Sequence, residues 1–195
     1  LGGRIDGGAV VTTDPDDGAG EPFAMLPGDH PRPTARGAES ATRVREIAGA
    51  AGERDLVLVA LTGGGSAILA APPDGIPVAA LRELTDELLA SGAAIEEVNA
   101  VRKHCSAVKG GRLTALAAPA RVVTVAVSDV VGDDPAVIAS GPTTPDPTTF
   151  ADAIDVTERY DLDLPSTVDA HLRAGVAGER PETPTASHPA FDRAS

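Results

Sequence analysis

The stretch DLVLVALTGGGSA, residues 55–67, decides the fold. Its first half is an uninterrupted apolar run, which is typical of a strand buried on both faces inside a parallel sheet. The run passes directly into three glycines, and helical spacing of apolar residues follows over residues 76–91. A second apolar run, RVVTVAV at residues 121–127, also passes directly into a polar loop, residues 128–146. This alternation of buried strand, glycine loop and helix predicts an α/β domain with a mostly parallel sheet.

The rest of the chain supplies shorter strands and further helices around this centre. β-branched runs predict strands, and apolar residues at steps of three and four predict helices. Strands are predicted over residues 8–13 and 23–26, and helices over residues 35–51, 94–108, 148–160 and 165–175. The end of the chain is rich in proline and threonine, which predicts a linker. The domain is therefore assigned to residues 1–178 and a linker-like tail to residues 179–195.

The charge balance excludes whole classes of partner. With a net charge of −13 and a pI of about 4.6, the 195-residue chain lacks the basic face that nucleic acids and anionic membranes require. No apolar run approaches the length of a membrane span. Scarce lysine beside abundant aspartate is typical of salt-loving microbes, although a merely acidic bacterial protein fits as well. A single cysteine indicates a reducing cytoplasm.

Residues 99–112, NAVRKHCSAVKGGR, concentrate positive charge in this acidic chain. The chain contains two lysines, Lys103 and Lys109, and both lie here beside Arg102 and Arg112. A solvated basic face is the ordinary explanation for charged helix residues. An anion site is favoured here because lysine is otherwise unused. A helix over residues 94–108 would place these polar side chains on one side: Asn99, Arg102, Lys103 and Ser106.

Two neighbours of these cations are assigned to packing. Cys105 falls on the apolar stripe of the predicted helix, so we interpret it as core filling and not as a nucleophile. His104 has no clear partner in the sequence and is interpreted as structural. Gly110 and Gly111 are expected to end the helix.

The glycine turn of residues 62–67, TGGGSA, is a second candidate anion site. Glycines allow the backbone to turn tightly and to bring N–H groups close to an anion. Ser66 could cap the following helix, whose N-terminus favours phosphate or carboxylate. The turn matches neither a Walker A loop nor G-x-G-x-x-G. A bare strand-to-helix turn therefore stays an equal alternative.

Carboxylates follow the second strand, at the same predicted sheet edge as the glycine turn. Asp129 and Asp133 could hold Mg²⁺ together with substrate phosphates, or one of them could take a proton from a substrate hydroxyl. An Asp-rich turn without function is the alternative. A glycine turn, a cationic helix face and a carboxylate loop on one rim suit phosphoryl transfer, where catalysis is mainly positioning and charge neutralisation.

Four motifs in this order resemble the glycerate 2-kinase family, which carries a MOFRL-type C-terminal domain and is often labelled hydroxypyruvate reductase. They are GDHPRPTARG at residues 28–37, TGGGSA at 62–67, NAVRKHCSAVKGGRL at 99–113 and SDVVGDDPAVIASGPTTPD at 128–146. The resemblance covers about residues 8–191. It implies ATP-dependent phosphorylation of D-glycerate to 2-phosphoglycerate with Mg²⁺. It also implies a Rossmann-like three-layer α/β/α domain that faces a smaller domain across the active-site cleft.

The predicted site combines the residue patterns with this resemblance. Phosphate or nucleotide is assigned to Gly63, Gly64, Gly65, Ser66, Arg102 and Arg112. Catalysis is assigned to Lys103, Lys109 and Asp129, and the metal to Asp129 and Asp133. Substrate is assigned to His30, Asn99, Ser140, Gly141 and Thr143.

The chain departs from the family pattern in two respects. Thr62 and Cys105 stand where Ser and Leu are expected, which are mild changes. The family's lysine-bearing N-terminal segment and its C-terminal domain are missing, so the resemblance implies an internal fragment that is inactive alone. The missing C-terminal domain is then an expected partner, and a homodimer is left open.

Two other functions are kept as alternatives. An NAD(P)H-dependent hydroxypyruvate reductase follows from the family label, but the absence of G-x-G-x-x-G counts against it. A non-catalytic domain would use the cationic cluster to bind an anion and would catalyse no reaction.

Overall fold

A computed structural model of the chain describes residues 5–16, 20–128 and 132–194. Strands and helices alternate along these residues. The strands are β1 Gly8–Thr12, β2 Phe23–Pro27, β3 Leu56–Leu61 and β4 Arg121–Ala126. The helices are α1 Ala35–Gly49, α2 Gly65–Ile68, α3 Val78–Ala90, α4 Ile95–His104, α5 Arg112–Ala117, α6 Phe150–Arg159 and α7 Ser166–Val176. Short 3₁₀ turns occupy Ile138–Ser140 and Pro189–Arg193.

The strands pair in parallel, as the sequence predicts. β1 pairs with β2, with Gly8 opposite Phe23, and β3 pairs with β4, with Leu56 opposite Arg121. The predicted α/β class with parallel strands is therefore confirmed, in the form of two small sheets. Because β3 and β4 run in the same direction, the loops that follow them leave from the same edge.

One face of the β3–β4 sheet is covered and the other is exposed. Helices α1 and α5 pack on Val57, Val59 and Val122. On the opposite face Leu58 is 57% exposed and Val125 is 57% exposed. The prediction that these strands are buried on both faces is wrong for the described residues, because helices cover this two-stranded sheet on one side only.

Two valines of β4 test this one-sided burial with the same chemical change. Val122 is 2% exposed, whereas Val125 is 57% exposed. We expect Val122→Ala to lower the free energy of unfolding by about 2 kcal/mol, because buried methyl groups are lost and a cavity remains. Val125→Ala should change it by less than about 0.5 kcal/mol. Urea unfolding of both variants measures the difference, and equal losses would contradict the assignment of the faces.

The largest core joins helices α3, α4, α6 and α7. It contains large side chains that are almost fully buried: Leu84, Leu88, Val101, Phe150, Val168 and Leu172. Gly175 is required in α7, since a Cβ there would lie 2.2 Å from the Phe150 ring. Cys105 belongs to this core and is 0% exposed, as predicted for a packing residue. Burial raises the pKa of its thiol to about 12.

Helix α4 is shorter than predicted. It ends at His104 and not at residue 108. The hydroxyl of Ser106 accepts hydrogen bonds from the backbone N–H groups of Val108 and Lys109, both at 3.3 Å. A serine that bonds the backbone in this way offers an alternative to the helical ladder. The chain therefore leaves the helix before Lys109, which changes where that lysine points.

The described part of the tail is packed against the domain and is not an extended linker. Thr183 is 2% exposed, and the backbone N–H of Asp146 donates to the carbonyl of Pro184 at 2.9 Å. Ala194 forms a parallel bridge with Val122 of β4. Hydrogen bonds to the domain and a 3₁₀ turn therefore order the described part of this proline-rich tail. The domain boundary at residue 178 stays a prediction.

Within residues 5–16, 20–128 and 132–194, no helix combines the length and the apolar character that crossing a membrane requires.

Candidate anion-binding site

A cavity of about 260 Å³ lies where the glycine turn, helix α3 and the end of helix α4 meet. Its polar lining consists of His30, Gly64, Ser66, Thr85, Arg102, Ser106 and Lys109. Prolines and leucines complete its wall, chiefly Pro31, Pro33, Leu81 and Leu89. Among the described residues, no aspartate or glutamate lines it. In a chain of net charge −13, a cavity whose described lining carries cations and no acid favours an anionic ligand.

Lys109 projects from the turn after α4 toward the glycine turn. Its Nζ donates hydrogen bonds to the carbonyls of Ser66 at 2.9 Å and Leu69 at 3.2 Å. The residue is 5% exposed. Burial, and then the nearby Arg102 charge, lower the pKa of Lys109 to about 7. A buried amine without a carboxylate partner gains from any anion that enters the cavity.

Arg102 lies on helix α4 beside Lys109 and is half-buried. Burial lowers the pKa of its guanidinium. Within the described parts of the chain, neither Arg102 nor Lys109 forms an ion pair with a carboxylate. These two cations are the centre of the candidate site.

The glycine turn requires glycine at two positions. Gly64 has a φ of 80°, in the left-handed region, and a Cβ at Gly65 would lie 2.9 Å from the Cβ of Ala139. The predicted helix cap by Ser66 is wrong, because Gly64 is the N-cap and Ser66 lies inside α2. Helix α2 is only four residues long, so it presents no helix dipole of useful size. Gly63 is exposed and does not line the cavity.

His30 lies at the mouth of the cavity, where the sequence expects a substrate residue. The loop that carries it is anchored by the Asp29 carboxylate, which accepts hydrogen bonds from Thr34 and Arg36. The Arg36 and Thr34 hydrogen bonds lower the pKa of Asp29 to about 2. This anchor keeps the His30 imidazole close to Gly64, whose Cβ would lie 3.1 Å from the ring.

Lys103 does not line this cavity. Its Nζ lies 3.1 Å from Oδ1 of Asp146, and the side chains of Lys103 and Asp146 are 7% and 0% exposed. The same carboxylate oxygen accepts from the N–H and the hydroxyl of Thr148. The predicted common helix face is therefore wrong, because Lys103 turns into the protein whereas Lys109 lies on a separate turn.

Several other predicted residues lie behind the cavity and do not line it. Arg112 donates to the carbonyl of Pro181 in the tail at 3.3 Å. The carbonyl of Thr143 accepts from Thr114 of α5, and its hydroxyl accepts from Thr124 of β4. The remaining members of this group are buried: Asn99, Ser140 and Gly141. Gly65 does not line the cavity either, and it packs close to Ala139.

The predicted metal ligands are not brought together by described residues. Asp129 lies outside the described residues, and Asp133 is exposed with a φ of 52°. No three side chains of the metal-binding types converge in the described part of the chain. The assignment of a metal to Asp129 and Asp133 stays a prediction.

Three residues organise this region in ways that the sequence does not predict. Asp146 is not among the predicted site residues, although an Asp-Pro-Thr sequence suggests that its side chain bonds nearby backbone. Ser106, which helical spacing places on a polar face, makes the turn before Lys109. Glu182 lies in the supposed linker and accepts from His104 Nε2 at 3.1 Å and from the N–H of Phe150. The sequence carries no signal for this last pairing, because the partners are far apart along the chain.

His104 is buried and structural, as the sequence analysis expects. Its Nδ1 lies 2.8 Å from the carbonyl of Ala100, and its ring packs edge-on against Phe150. It holds the tail segment against α4 through Glu182.

Comparison with known proteins places this geometry in a family. A model of the DUF4147 family, described as a domain of unknown function, matches residues 2–173. A protein from Agrobacterium vitis named putative hydroxypyruvate reductase is 45% identical over 77% of this chain and 34% of its own length. D-Glycerate 2-kinase from Thermotoga maritima is 42% identical over 86% of this chain and 40% of its own length.

The fold agrees with a solved structure. The crystal structure of glycerate kinase from Thermotoga maritima superposes with a TM-score of 0.88 at 38% identity, over 100% of this chain and 45% of that one. The chain thus spans less than half the length of the relatives named here. The resemblance stated from the four motifs is confirmed. The chain belongs to the DUF4147 family, which forms the N-terminal domain of the glycerate kinase family.

Proposed function

We propose that the intact protein transfers the γ-phosphoryl group of ATP to the 2-hydroxyl of D-glycerate, and that the cavity described above binds anionic groups in that reaction. The observation that carries the proposal is the pair Arg102 and Lys109, which line a cavity where the described residues contribute no carboxylate. The names of several relatives, D-glycerate 2-kinase and glycerate kinase, support the reaction class.

The two cations suit oxygens that carry negative charge. Arg102 offers a planar fork of donors, which matches a carboxylate or a phosphate. Lys109 adds a positive charge from a buried amine that already bonds the glycine turn. Binding of an anion restores the proton on that amine, because an opposite charge favours the charged form. In phosphoryl transfer such groups act by positioning and by neutralising charge.

The cavity holds only part of the reactants. At about 260 Å³ it is smaller than a typical site for a drug-sized ligand. It can take a phosphate group or a three-carbon acid, but not ATP and glycerate together. The 195-residue chain is therefore expected to bind anions without turnover, and the remaining contacts would come from the rest of the longer protein.

The remaining roles are proposals from the sequence. Asp129 would accept the proton of the attacking hydroxyl, while Asp129 and Asp133 would hold Mg²⁺ together with substrate phosphates. Magnesium would neutralise charge on the phosphates when bound. His30 would contact substrate at the mouth of the cavity. A cytoplasmic location, a halophilic source and a homodimer stay predictions from sequence.

The reductase alternative is the weaker one. A classical nicotinamide site needs a glycine fingerprint in which pyrophosphate approaches a full helix N-terminus. Here the glycine turn leads into a helix of four residues. We interpret the name hydroxypyruvate reductase, given to relatives of the same family, as a mislabel.

The test is an assay of the intact protein with D-glycerate, ATP and magnesium. We expect ADP to form together with 2-phosphoglycerate, which phosphorus NMR distinguishes from 3-phosphoglycerate. NADH consumption with hydroxypyruvate, and no ADP, would contradict the proposal and favour the reductase. Anion binding without either reaction would identify a non-catalytic binding domain.

A further inference from the structure

Three hydrogen-bonded side chains run from the cavity into the protein interior. Ser66 lines the cavity, and its Oγ lies 2.8 Å from Oγ of Ser140. Ser140 Oγ lies 2.9 Å from Oδ1 of Asn99. Ser140 is 0% exposed and Asn99 is 3% exposed, so neither can touch a ligand in the cavity. We call this series, Asn99–Ser140–Ser66, the serine relay.

The backbone that presents Ser140 adopts a rare conformation. Ala139, Ser140 and Gly141 have φ values of 52°, 60° and 59°. Non-glycine residues rarely adopt the left-handed region, and here two do so in succession. Gly110 N–H donates to the Ser140 carbonyl at 3.1 Å, and Gly111 N–H donates to the Gly141 carbonyl at 2.8 Å. Backbone strain that neighbouring bonds maintain is concentrated at functional sites.

The donors and acceptors of the relay depend on which atom of the Asn99 amide, Oδ1 or Nδ2, faces Ser140. A serine hydroxyl carries one proton, so Ser140 can donate to only one neighbour. When Oδ1 faces Ser140, Ser140 donates to Asn99, Ser66 donates to Ser140, and Ser66 presents only lone pairs to the cavity. When Nδ2 faces Ser140, Asn99 donates to Ser140 and Ser140 donates to Ser66. The Ser66 hydroxyl can then donate its own proton to a ligand. Nδ2 is buried and has no partner within the described residues.

We propose that Asn99 and Ser140 are positioning residues that orient the Ser66 hydroxyl as a hydrogen-bond donor to an anion held by Arg102 and Lys109. An anion oxygen accepts and cannot donate, so its arrival selects the direction in which Ser66 points its proton into the cavity. The same reversal gives the buried Asn99 Nδ2 the Ser140 contact and moves Oδ1 to the position that Nδ2 leaves. The inference rests on the proposed function, which supplies the anion.

The test is a double-mutant cycle on sulfate affinity, measured by calorimetry on the 195-residue chain. Sulfate keeps its charge across the neutral range, so only protein groups titrate. Ser66→Ala should weaken sulfate binding about tenfold, the size of a hydrogen bond to a charged group. Ser140→Ala should weaken it about fivefold alone and by less than about twofold when Ser66→Ala is already present.

A matched control removes a comparable hydroxyl bond from the same loop. The Thr124 hydroxyl of β4 donates to the Thr143 hydroxyl at 2.8 Å, away from the cavity. Thr124→Val should leave the sulfate affinity unchanged. If Ser140→Ala does not fold, Ser140→Gly removes the same hydroxyl and fits the positive φ.

The outcomes separate the relay from the anion site. Additive losses from Ser140→Ala and Ser66→Ala, or no loss from Ser140→Ala, would overturn the relay and leave the anion site standing. No sulfate binding by the wild-type chain would overturn the proposed function, and the relay with it.

Discussion

Replacing Lys103 by methionine is expected to lower the free energy of unfolding by about 3–5 kcal/mol, the cost of breaking a buried ion pair from one side. Methionine keeps most of the side-chain volume, so the loss reports the charge and not a cavity. Lys103 Nζ lies 3.1 Å from the Asp146 carboxylate, and both side chains are buried. Without the lysine, that carboxylate stays inside the protein without its ion-pair partner, and Arg112 attracts it only from beyond ion-pair distance.

Asp146 contacts three parts of the structure. Loss of its partner Lys103 should therefore lower the free energy of unfolding strongly. Its backbone N–H donates to Pro184 in the tail, and its side chain accepts from Thr148. A Cβ at Gly110 would lie 3.1 Å from its second oxygen. The carboxylate therefore cannot move to solvent without disturbing the turn at Gly110 and the tail.

The control for this prediction removes both charges. In the double variant Lys103→Met with Asp146→Asn, the amide oxygen can still accept from Thr148, and neither side chain of the pair carries a charge. At least half of the lost stability should return in urea unfolding. Two results would contradict the ion-pair argument: a loss below about 1 kcal/mol in Lys103→Met, or no recovery in the double variant.

The large elements of the fold are predictable because each depends on a local pattern. The apolar runs at residues 55–61 and 121–127 predict both strands of the β3–β4 sheet, and parallel pairing follows from the intervening helices. Burial of their second face was not predictable. An apolar run indicates that a strand can be buried. It does not indicate whether helices pack on both of its faces. Leu58 and Val125 show this limit.

The candidate site was predictable in its composition and not in its arrangement. The scarcity of lysine indicates a functional role for Lys103 and Lys109, and helical spacing predicts that both lie on one face. The Ser106 hydroxyl ends that regularity, because it takes the backbone bonds that a continued helix would need. One lysine then meets Asp146 and the other meets the glycine turn. Spacing rules assume an unbroken helix, so one serine was enough to separate the pair.

Replacing Lys109 by glutamine is expected to lower kcat/KM of the intact protein about 100- to 1000-fold, as for loss of one preorganised donor to developing charge. Lys109 and Arg102 are the cations of the cavity, and the part of the chain that is described places no carboxylate in its lining. Arg82→Gln, a change on the exposed side of α3, is the matched loss of one positive charge and should leave turnover unaffected. Equal activity of the Lys109 variant and the wild type would remove Lys109 from the site.

The pH dependence of sulfate binding tests the same lysine on the 195-residue chain. Burial and Arg102 lower the pKa of Lys109 to about 7 in the folded protein, below the value of about 10.4 for an exposed lysine. Below pH 7 the amine is charged and attracts sulfate, and above pH 7 it loses the proton that binding must restore. Sulfate affinity should therefore fall by up to about tenfold per pH unit above pH 7.

The same pKa also has a consequence for stability, with the opposite sign. Between about pH 7 and pH 10 the unfolded chain holds the Lys109 proton and the folded chain does not, so this group makes the protein more stable as the pH rises. Lys109→Gln should abolish both trends, since glutamine does not titrate. Calorimetry with sulfate and urea unfolding at several pH values measure them separately. The sulfate affinity of the wild type could instead stay constant from about pH 6 to about pH 9, like that of the glutamine variant. This result would show that a charged Lys109 does not hold the anion.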